Sequence, residues 1–237
     1  MLLSRMQRRE TLRGRSRCPH CQKVLHWYDL IPLVSFLLLS GRCRVCKKNI
    51  SWKYPLIEAA TALLSLLLVT SLPPMPLLAL LFLGVAAYIL LLIAFYDFET
   101  QNIPDLFVTV LFLSALLYRI FHATSGPGTE LRDGFLGAAI PFFFFGALCI
   151  VSHEEWIGSG DILLGVAIGL LLGVRLTLLT LFLAYIVGAF IASFLILLHL
   201  ARVKTRIAFG PFLASGALLS LFFGDTLLEW YGRVLTQ

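Results

Sequence analysis

Two carboxylates stand at the edges of long apolar stretches: Asp97, in Phe95-Tyr96-Asp97-Phe98-Glu99, and Asp161, which closes Gly158-Ser159-Gly160-Asp161. A carboxylate at a membrane boundary is costly to desolvate, so its default reading is functional. Two of them brought together can share a proton. One then acts as base toward water while the protonated partner polarises a carbonyl, the chemistry of peptide hydrolysis. Gly158 and Gly160 are expected to allow unusual backbone angles beside Asp161 and close approach of a substrate backbone. Taken singly, Asp97 also reads as a helix C-terminal boundary residue and Asp161 as a helix N-cap. Asp105, after Ile103-Pro104, suits a first helical turn. Glu99, Glu154 and Glu155 read as loop charges, while Asp225 and Glu229 fall near the opposite face.

A second constellation lies near the amino terminus. Cys18-Pro19-His20-Cys21 and Cys43-Arg44-Val45-Cys46 are two Cys-x-x-Cys knuckles separated by 21 residues. Four thiolates at this spacing suit tetrahedral Zn²⁺ in a closed, structural site. The alternatives are two disulfides, which a cytoplasmic location disfavours, or chance. His20 and His26 read as surface residues of the ribbon, and Cys149 as a packing residue in an apolar span.

The elements that must position these groups are membrane helices. The chain has 237 residues, 59% apolar and only 14% charged, with a mean hydropathy of +0.91. Soluble domains are about half apolar and a quarter charged. A spanning helix needs about 20 mostly apolar residues, and the candidate spans are 56–72, 77–96, 103–123, 134–151, 162–174, 176–200 and 211–231. The fifth is short, and its boundary with the sixth is set at Arg175. Leu30–Ser40 is too short to cross and reads as interfacial or packed. No cleavable signal peptide and no internal repeat is evident.

Residues 1–55 hold twelve of the nineteen Lys and Arg, among them Arg5, Arg8, Arg9, Arg13 and Arg15. With a membrane domain attached, this block reads as cytoplasmic under the positive-inside rule rather than as a nucleic-acid surface. Seven spans then make the breaks at 97–102, 152–161 and 201–210 cytoplasmic, the last with Arg202, Lys204 and Arg206, so Asp97 and Asp161 fall on one face. The expected fold class is an all-α polytopic membrane protein with a small zinc-ribbon-like segment, divided into 1–55 and 56–237.

These residues resemble the type IV prepilin peptidase family over nearly the whole chain. The runs that carry the resemblance are Arg15-Ser16-Arg17-Cys18-Pro19-His20-Cys21, Trp27-Tyr28-Asp29-Leu30-Ile31-Pro32, Gly41-Arg42-Cys43-Arg44-Val45-Cys46 and Tyr54-Pro55-Leu56-Ile57-Glu58. Further on come Asp97 with Ile103-Pro104-Asp105, Gly158 to Asp161, and Phe209-Gly210-Pro211-Phe212. The resemblance implies catalysis by Asp97 and Asp161 on prepilins or the pseudopilins of secretion or competence systems. The basic leader would be cut at the cytoplasmic face of the inner membrane. It also implies methylation of the new amino terminus from S-adenosylmethionine, for which Glu58 is the candidate residue. Family members begin with a further helix that this chain lacks as written, and many carry Lys where Leu163 stands. Competing readings are a broader Gly-x-Gly-Asp protease of transmembrane segments and, in another class, an ion-coupled transporter, which would need acids deep within its spans.

Overall fold

The computed structural model describes residues 16–18, 20–123, 129–152, 158–200 and 208–235. Arg5, Arg8, Arg9, Arg13, Arg15, Glu154, Glu155, Arg202, Lys204 and Arg206 lie outside the described residues. Among the described residues seven α-helices follow in order: α1 (Val34–Leu38), α2 (Lys53–Thr70), α3 (Leu77–Thr100), α4 (Asp105–Ala123), α5 (Thr129–Ser152), α6 (Ser159–Leu197) and α7 (Gly210–Leu235). Six of them, α2 to α7, are long and apolar enough to cross a membrane. The protein is an all-helical, multi-pass membrane protein in which lipid replaces water as the main solvent. Backbone polar groups there must be satisfied internally, which a helix does along its own length.

The chain divides into two compact units, Met1–Leu66 and Leu67–Gln237. In the first unit the two knuckles are copies of one another, although no repeat stands out in the sequence. The Cys18 N–H donates to the Lys23 carbonyl at 3.0 Å, and the Cys43 N–H to the Lys48 carbonyl at 2.9 Å. Each turn closes through a left-handed residue, Gln22 (φ 56°) and Lys47 (φ 57°), and each is flanked by a single antiparallel bridge, Arg17 with Val24 and Arg42 with Asn49. The expected interfacial stretch contains a 3₁₀ turn, Trp27–Leu30, and α1. The α1 segment is tied to the first turns of α2 by the Phe36–Trp52 ring contact (4.9 Å) and by the Leu33 N–H, which donates to Glu58 Oε2 at 2.8 Å.

The second unit is built from antiparallel neighbours. Phe82 meets Phe121 and Tyr96 meets Phe107, so α3 and α4 form a hairpin. The 39 residues of α6 would extend roughly 58 Å if straight, nearly twice the thickness of a hydrocarbon core. They are not straight. Gly173 has φ 77° and ψ 179°. Beyond it the chain doubles back, because neighbouring residues of α5 touch both arms. The Phe145 ring lies against Gly165, and the Phe144 ring meets Tyr185 at 5.8 Å. In a straight helix Gly165 and Tyr185 would be about 30 Å apart. The expected fifth and sixth spans are therefore the arms 159–172 and 174–197, with the break at Gly173 rather than Arg175. Arg175 looked like a boundary because it is charged, but it pairs at the surface with Asp225 (3.7 Å). The residue that turns the chain is the one able to take a positive φ.

Packing follows the small residues, as membrane helices require. In α5, Gly134 and Gly137 face Leu170, Gly169 and Gly173 of α6. Gly137 and Gly169 are in mutual backbone contact: a Cβ on either would collide with the carbonyl oxygen of the other. Leu83, Leu90, Ile93, Leu111, Leu164, Ile168 and Leu213 fill the interior at 1% exposure or less. The successive reversals bring the segments 97–103, 158–161 and 208–210 together at one end of this unit. Arg119, Asp133 and Gly173 meet at the other.

Candidate active site

Each aspartate sits where a helix ends. Asp97 lies in the last turn of α3, not in the loop beyond it, and is 4% exposed. Its own carbonyl accepts the N–H of Gln101, the left-handed residue that stops the helix (φ 51°). The C-terminal end of a helix is a poor place for a carboxylate, because the helix dipole is negative there. The compensation comes from another helix. The backbone N–H of Gly210, first residue of α7, donates to the Asp97 carboxylate. A Cβ at Gly210 would lie 2.5 Å from Asp97 Oδ2. Only glycine lets the amino-terminal end of α7, with its unsatisfied N–H groups, come this close. Pro211 follows in the first turn, where its missing N–H costs nothing.

Asp161 stands at the third helical position of α6, and the N-cap is Gly158. The N-cap reading of Asp161 is thus displaced by three residues. Its carboxylate instead reaches back to accept the Gly158 N–H, half of a capping box. The expected unusual backbone at the glycines is absent. Gly158 is ordinary extended chain (φ −81°, ψ 159°), and Gly160 is helical without a positive φ. What Gly160 provides is room: Ile103 Cβ lies 3.6 Å from the position its own Cβ would occupy. Ile103 also reaches Gly210, with Cδ1 at 3.2 Å from that residue's virtual Cβ, so one side chain bridges the glycines beside the two aspartates.

The Asp97 and Asp161 carboxylates are close enough to interact electrostatically, and Asp161 also interacts with Tyr185 of the second α6 arm. Tyr185 belongs to an aromatic cluster: Phe209 lies 5.1 Å from its ring, Phe144 5.8 Å, and Phe145 packs edge-on against Phe209. The site is therefore two carboxylates at converging helix ends, walled on one side by aromatic rings. Tyr185 and Gly210 carried no role in the sequence reading. Phe209-Gly210-Pro211-Phe212 was visible as a run, but the partner of Gly210 was not. Asp105 opens α4 as expected, Glu99 lies within α3 rather than in a loop, and Asp225 and Glu229 are far along α7 from Gly210.

In the first unit the Sγ atoms of Cys18, Cys21, Cys43 and Cys46 all lie within 4.8 Å of one another, with Cys18 and Cys46 at 3.9 Å. A tetrahedral Zn²⁺ with bonds of about 2.3 Å needs sulfur–sulfur edges of about 3.8 Å, so the set fits the ion with small adjustments. All five cysteines are free. The backbone N–H groups of Cys46 and Val45 lower the Cys43 thiol to about 7, which favours the thiolate a metal takes. Glu58, in α2, is half-buried with Oε2 committed to the Leu33 N–H. Asp29 pairs with Arg44 at 2.8 Å, and Arg44 lies over the Tyr28 ring, so the run beginning at Trp27 fastens the 3₁₀ turn to the second knuckle.

A polytopic helical protein with paired carboxylates at one end of its bundle is, as a class, a membrane-embedded hydrolase candidate. Comparison with known proteins makes the class specific. Residues 84–193 match the type IV leader peptidase family, and residues 1–72 match the bacterial peptidase A24 N-terminal domain. The chain is 34% identical over 218 residues to a prepilin leader peptidase/N-methyltransferase of Aeromonas hydrophila, covering 92% of this chain and 74% of that one. It is 30% identical to the enzyme of the same name from Bacillus subtilis, covering 92% and 85%. It is 35% identical to a type 4 prepilin-like proteins leader peptide-processing enzyme of Escherichia coli O78:H11, covering 88% and 75%. No solved structure gives a significant match. The chain belongs to the type IV leader peptidase family, and it is a peptidase.

Proposed function

We propose that the protein is an aspartyl endopeptidase that removes the basic leader from type IV prepilins or pseudopilins. Asp97 and Asp161 form its catalytic pair. The observation that carries this reading is the convergence of the two aspartate-bearing segments, 64 residues apart, at the ends of α3, α6 and α7, where Ile103 reaches both Gly160, beside Asp161, and Gly210, beside Asp97. Two carboxylates facing one site divide the work: the one in its ionised form activates water, and the one in its protonated form donates to the scissile carbonyl. Gly158 and Gly160 keep the approach to Asp161 open. The pair faces the cytoplasm of the inner membrane, as the basic residues 1–55 argue under the positive-inside rule. Residues 1–55 carry the metal and 56–237 the peptidase. A panel of prepilin leaders set against generic transmembrane substrates tests this. Leader-selective cutting supports it, and indifferent cutting supports the broader protease.

We assign to the same chain N-methylation of the new terminus, with S-adenosylmethionine supplying the methyl group. Glu58 fits this role in kind, since a fixed carboxylate can accept a proton from an amine.

Gly210→Ala is expected to shift the Asp97 carboxylate by several tenths of an ångström and lower kcat, up to about 10²-fold, while the protein still inserts. Leader cleavage per milligram of purified protein checks this, and wild-type turnover would remove Gly210 from the machinery.

Cys18, Cys21, Cys43 and Cys46 would hold a structural Zn²⁺. Ligand binding free energies for such sites run to about 10–16 kcal/mol, so chelation or Cys43→Ser should unfold residues 18–52 while the spans stay inserted. The bound ligands are deprotonated, so zinc affinity should fall as pH falls. Metal content and protease resistance across pH read both effects. Resistance that survives metal removal would refute the structural role.

A further inference from the structure

The one-residue turn at Gly173 is held by a buried arginine and two partly exposed carboxylates at the end of the bundle away from the aspartates. Arg119, near the end of α4, is 4% exposed. Its Nε donates to the Leu170 carbonyl at 2.9 Å, in the last turn of the first α6 arm. Its Nη1 donates to Glu130 Oε2 at 2.9 Å and to the Glu130 carbonyl at 3.2 Å, at the start of α5. Its Nη2 lies 3.7 Å from Asp133 Oδ2. Asp133 Oδ1 accepts the N–H of Val174, the first residue of the second arm, at 3.2 Å. A cation thus caps the negative end of one arm and an anion the positive end of the next, and the two caps pair with each other. A Cβ at Gly173 would strike both, Asp133 Oδ2 foremost.

This clamp has a mechanical consequence. The seam between α5 and the first α6 arm is backbone on backbone at Gly137 and Gly169. Such a seam holds the helices close, and Pro141 and Phe145 seat against Gly165 nearer the aspartates. The clamp fixes the axial register at the other end of the arm. Asp161 lies twelve residues from Gly173 on the same rigid arm, about 18 Å away, so a slip at the turn is delivered undiminished to the site. We propose that Arg119, with Asp133, is a positioning residue: through the Gly173 turn it sets the register of the first α6 arm and so brings the Asp161 carboxylate to Asp97. The proposal rests on the peptidase reading for its kinetic arm only.

Two readouts test it. The first is geometric. Ile103 Cβ lies 3.6 Å from where a Cβ would be at Gly160, within the range of a disulfide. In the full chain with Cys149→Ser, the pair Ile103→Cys and Gly160→Cys should oxidise readily, counted by loss of maleimide-reactive thiols. Adding Arg119→Ala should slow that oxidation about tenfold, because the thiols no longer dwell at bonding distance. The second readout is kinetic and uses Arg119→Ala with Ile103, Gly160 and Cys149 native. A misplacement of about 1 Å can cost on the order of 10²-fold, so kcat per inserted molecule should fall with KM unchanged. Arg119→Lys should recover only part of the loss, since an ammonium cannot reproduce the guanidinium fork. If Arg119→Ala fails to accumulate, the near-isosteric Asp133→Asn carries the same two measurements. Unchanged oxidation overturns the proposal, as does slowed oxidation with wild-type kcat. If the wild-type chain cuts no leader, the peptidase reading fails, and the oxidation rates still decide the register claim.

Discussion

Asp97→Asn or Asp161→Asn is expected to abolish leader cleavage, by about 10³-fold or more, with wild-type amounts of protein in the membrane. The stability side follows from the local bonding. Asn keeps the shape of Asp and an oxygen that can accept the Gly210 N–H at position 97 or the Gly158 N–H at position 161. At Asp97, which is 4% exposed inside an apolar bundle, replacing the acid by a neutral amide carries no desolvation penalty. The catalytic side follows from the pair acting as one unit. An amide neither takes a proton from water nor gives one to the substrate carbonyl, so each single variant removes the whole function. The double variant should therefore be no worse than either single one, a non-additivity that independent contributions would not produce. Methyl transfer to a pre-cleaved substrate should survive in both variants. Cleavage by purified protein decides the matter, and appreciable turnover by either variant would end the two-carboxylate mechanism.

Gly169→Val should cost the protein its fold or several degrees of thermal stability in detergent. A Cβ there lands on the Gly137 carbonyl and 2.7 Å from Ala138 Cα. These are backbone atoms of α5, so no side-chain rotation relieves the clash and the helices must part. Separation exposes the seam and disturbs Gly173 and its caps together. Overpacking of cores typically costs about 1–3 kcal/mol, and a backbone-on-backbone seam should reach the upper end. Gly146→Ala in the facing helix α5 is the control, because a Cβ at Gly146 meets nothing within 4 Å. Equal unfolding temperatures for the two variants would show that the seam does not hold α5 to α6.

Several features could be read before any tertiary structure, each for a local reason. The spans were legible because a bilayer demands runs of about 20 apolar residues, and α2 to α7 fall on those runs. The thiol cluster was legible because Cys-x-x-Cys fixes two ligands on one turn, though the matching of the two turns emerged only from their hydrogen bonds. The turn inside α6 was misplaced by two residues. Hydropathy runs unbroken from Ile162 to Leu172, so Arg175 offered the nearest visible boundary. The feature that makes the turn is a positive φ at Gly173, stabilised by Arg119 and Asp133 at sequence separations of 54 and 40. Gly158 and Gly160 suggest conformational freedom in the sequence, yet neither has a positive φ, and Gly160 gives clearance for Ile103.

By itself the sequence determined what the protein is made of: apolar helices, a four-thiol set, and two carboxylates at span edges within family-specific runs. All of that is encoded in spacings shorter than one helix, where composition and periodicity speak directly. The tertiary structure decided what meets what. It set Asp97 against the Gly210 N–H at the start of α7, folded α6 back so that Tyr185 stands by Asp161, and placed a buried arginine with a half-exposed aspartate at the turn. These are contacts between helix ends far apart in the chain. They follow from where glycine lets backbones touch and from which dipole ends and charges then neutralise one another, a balance struck only when the helices are packed.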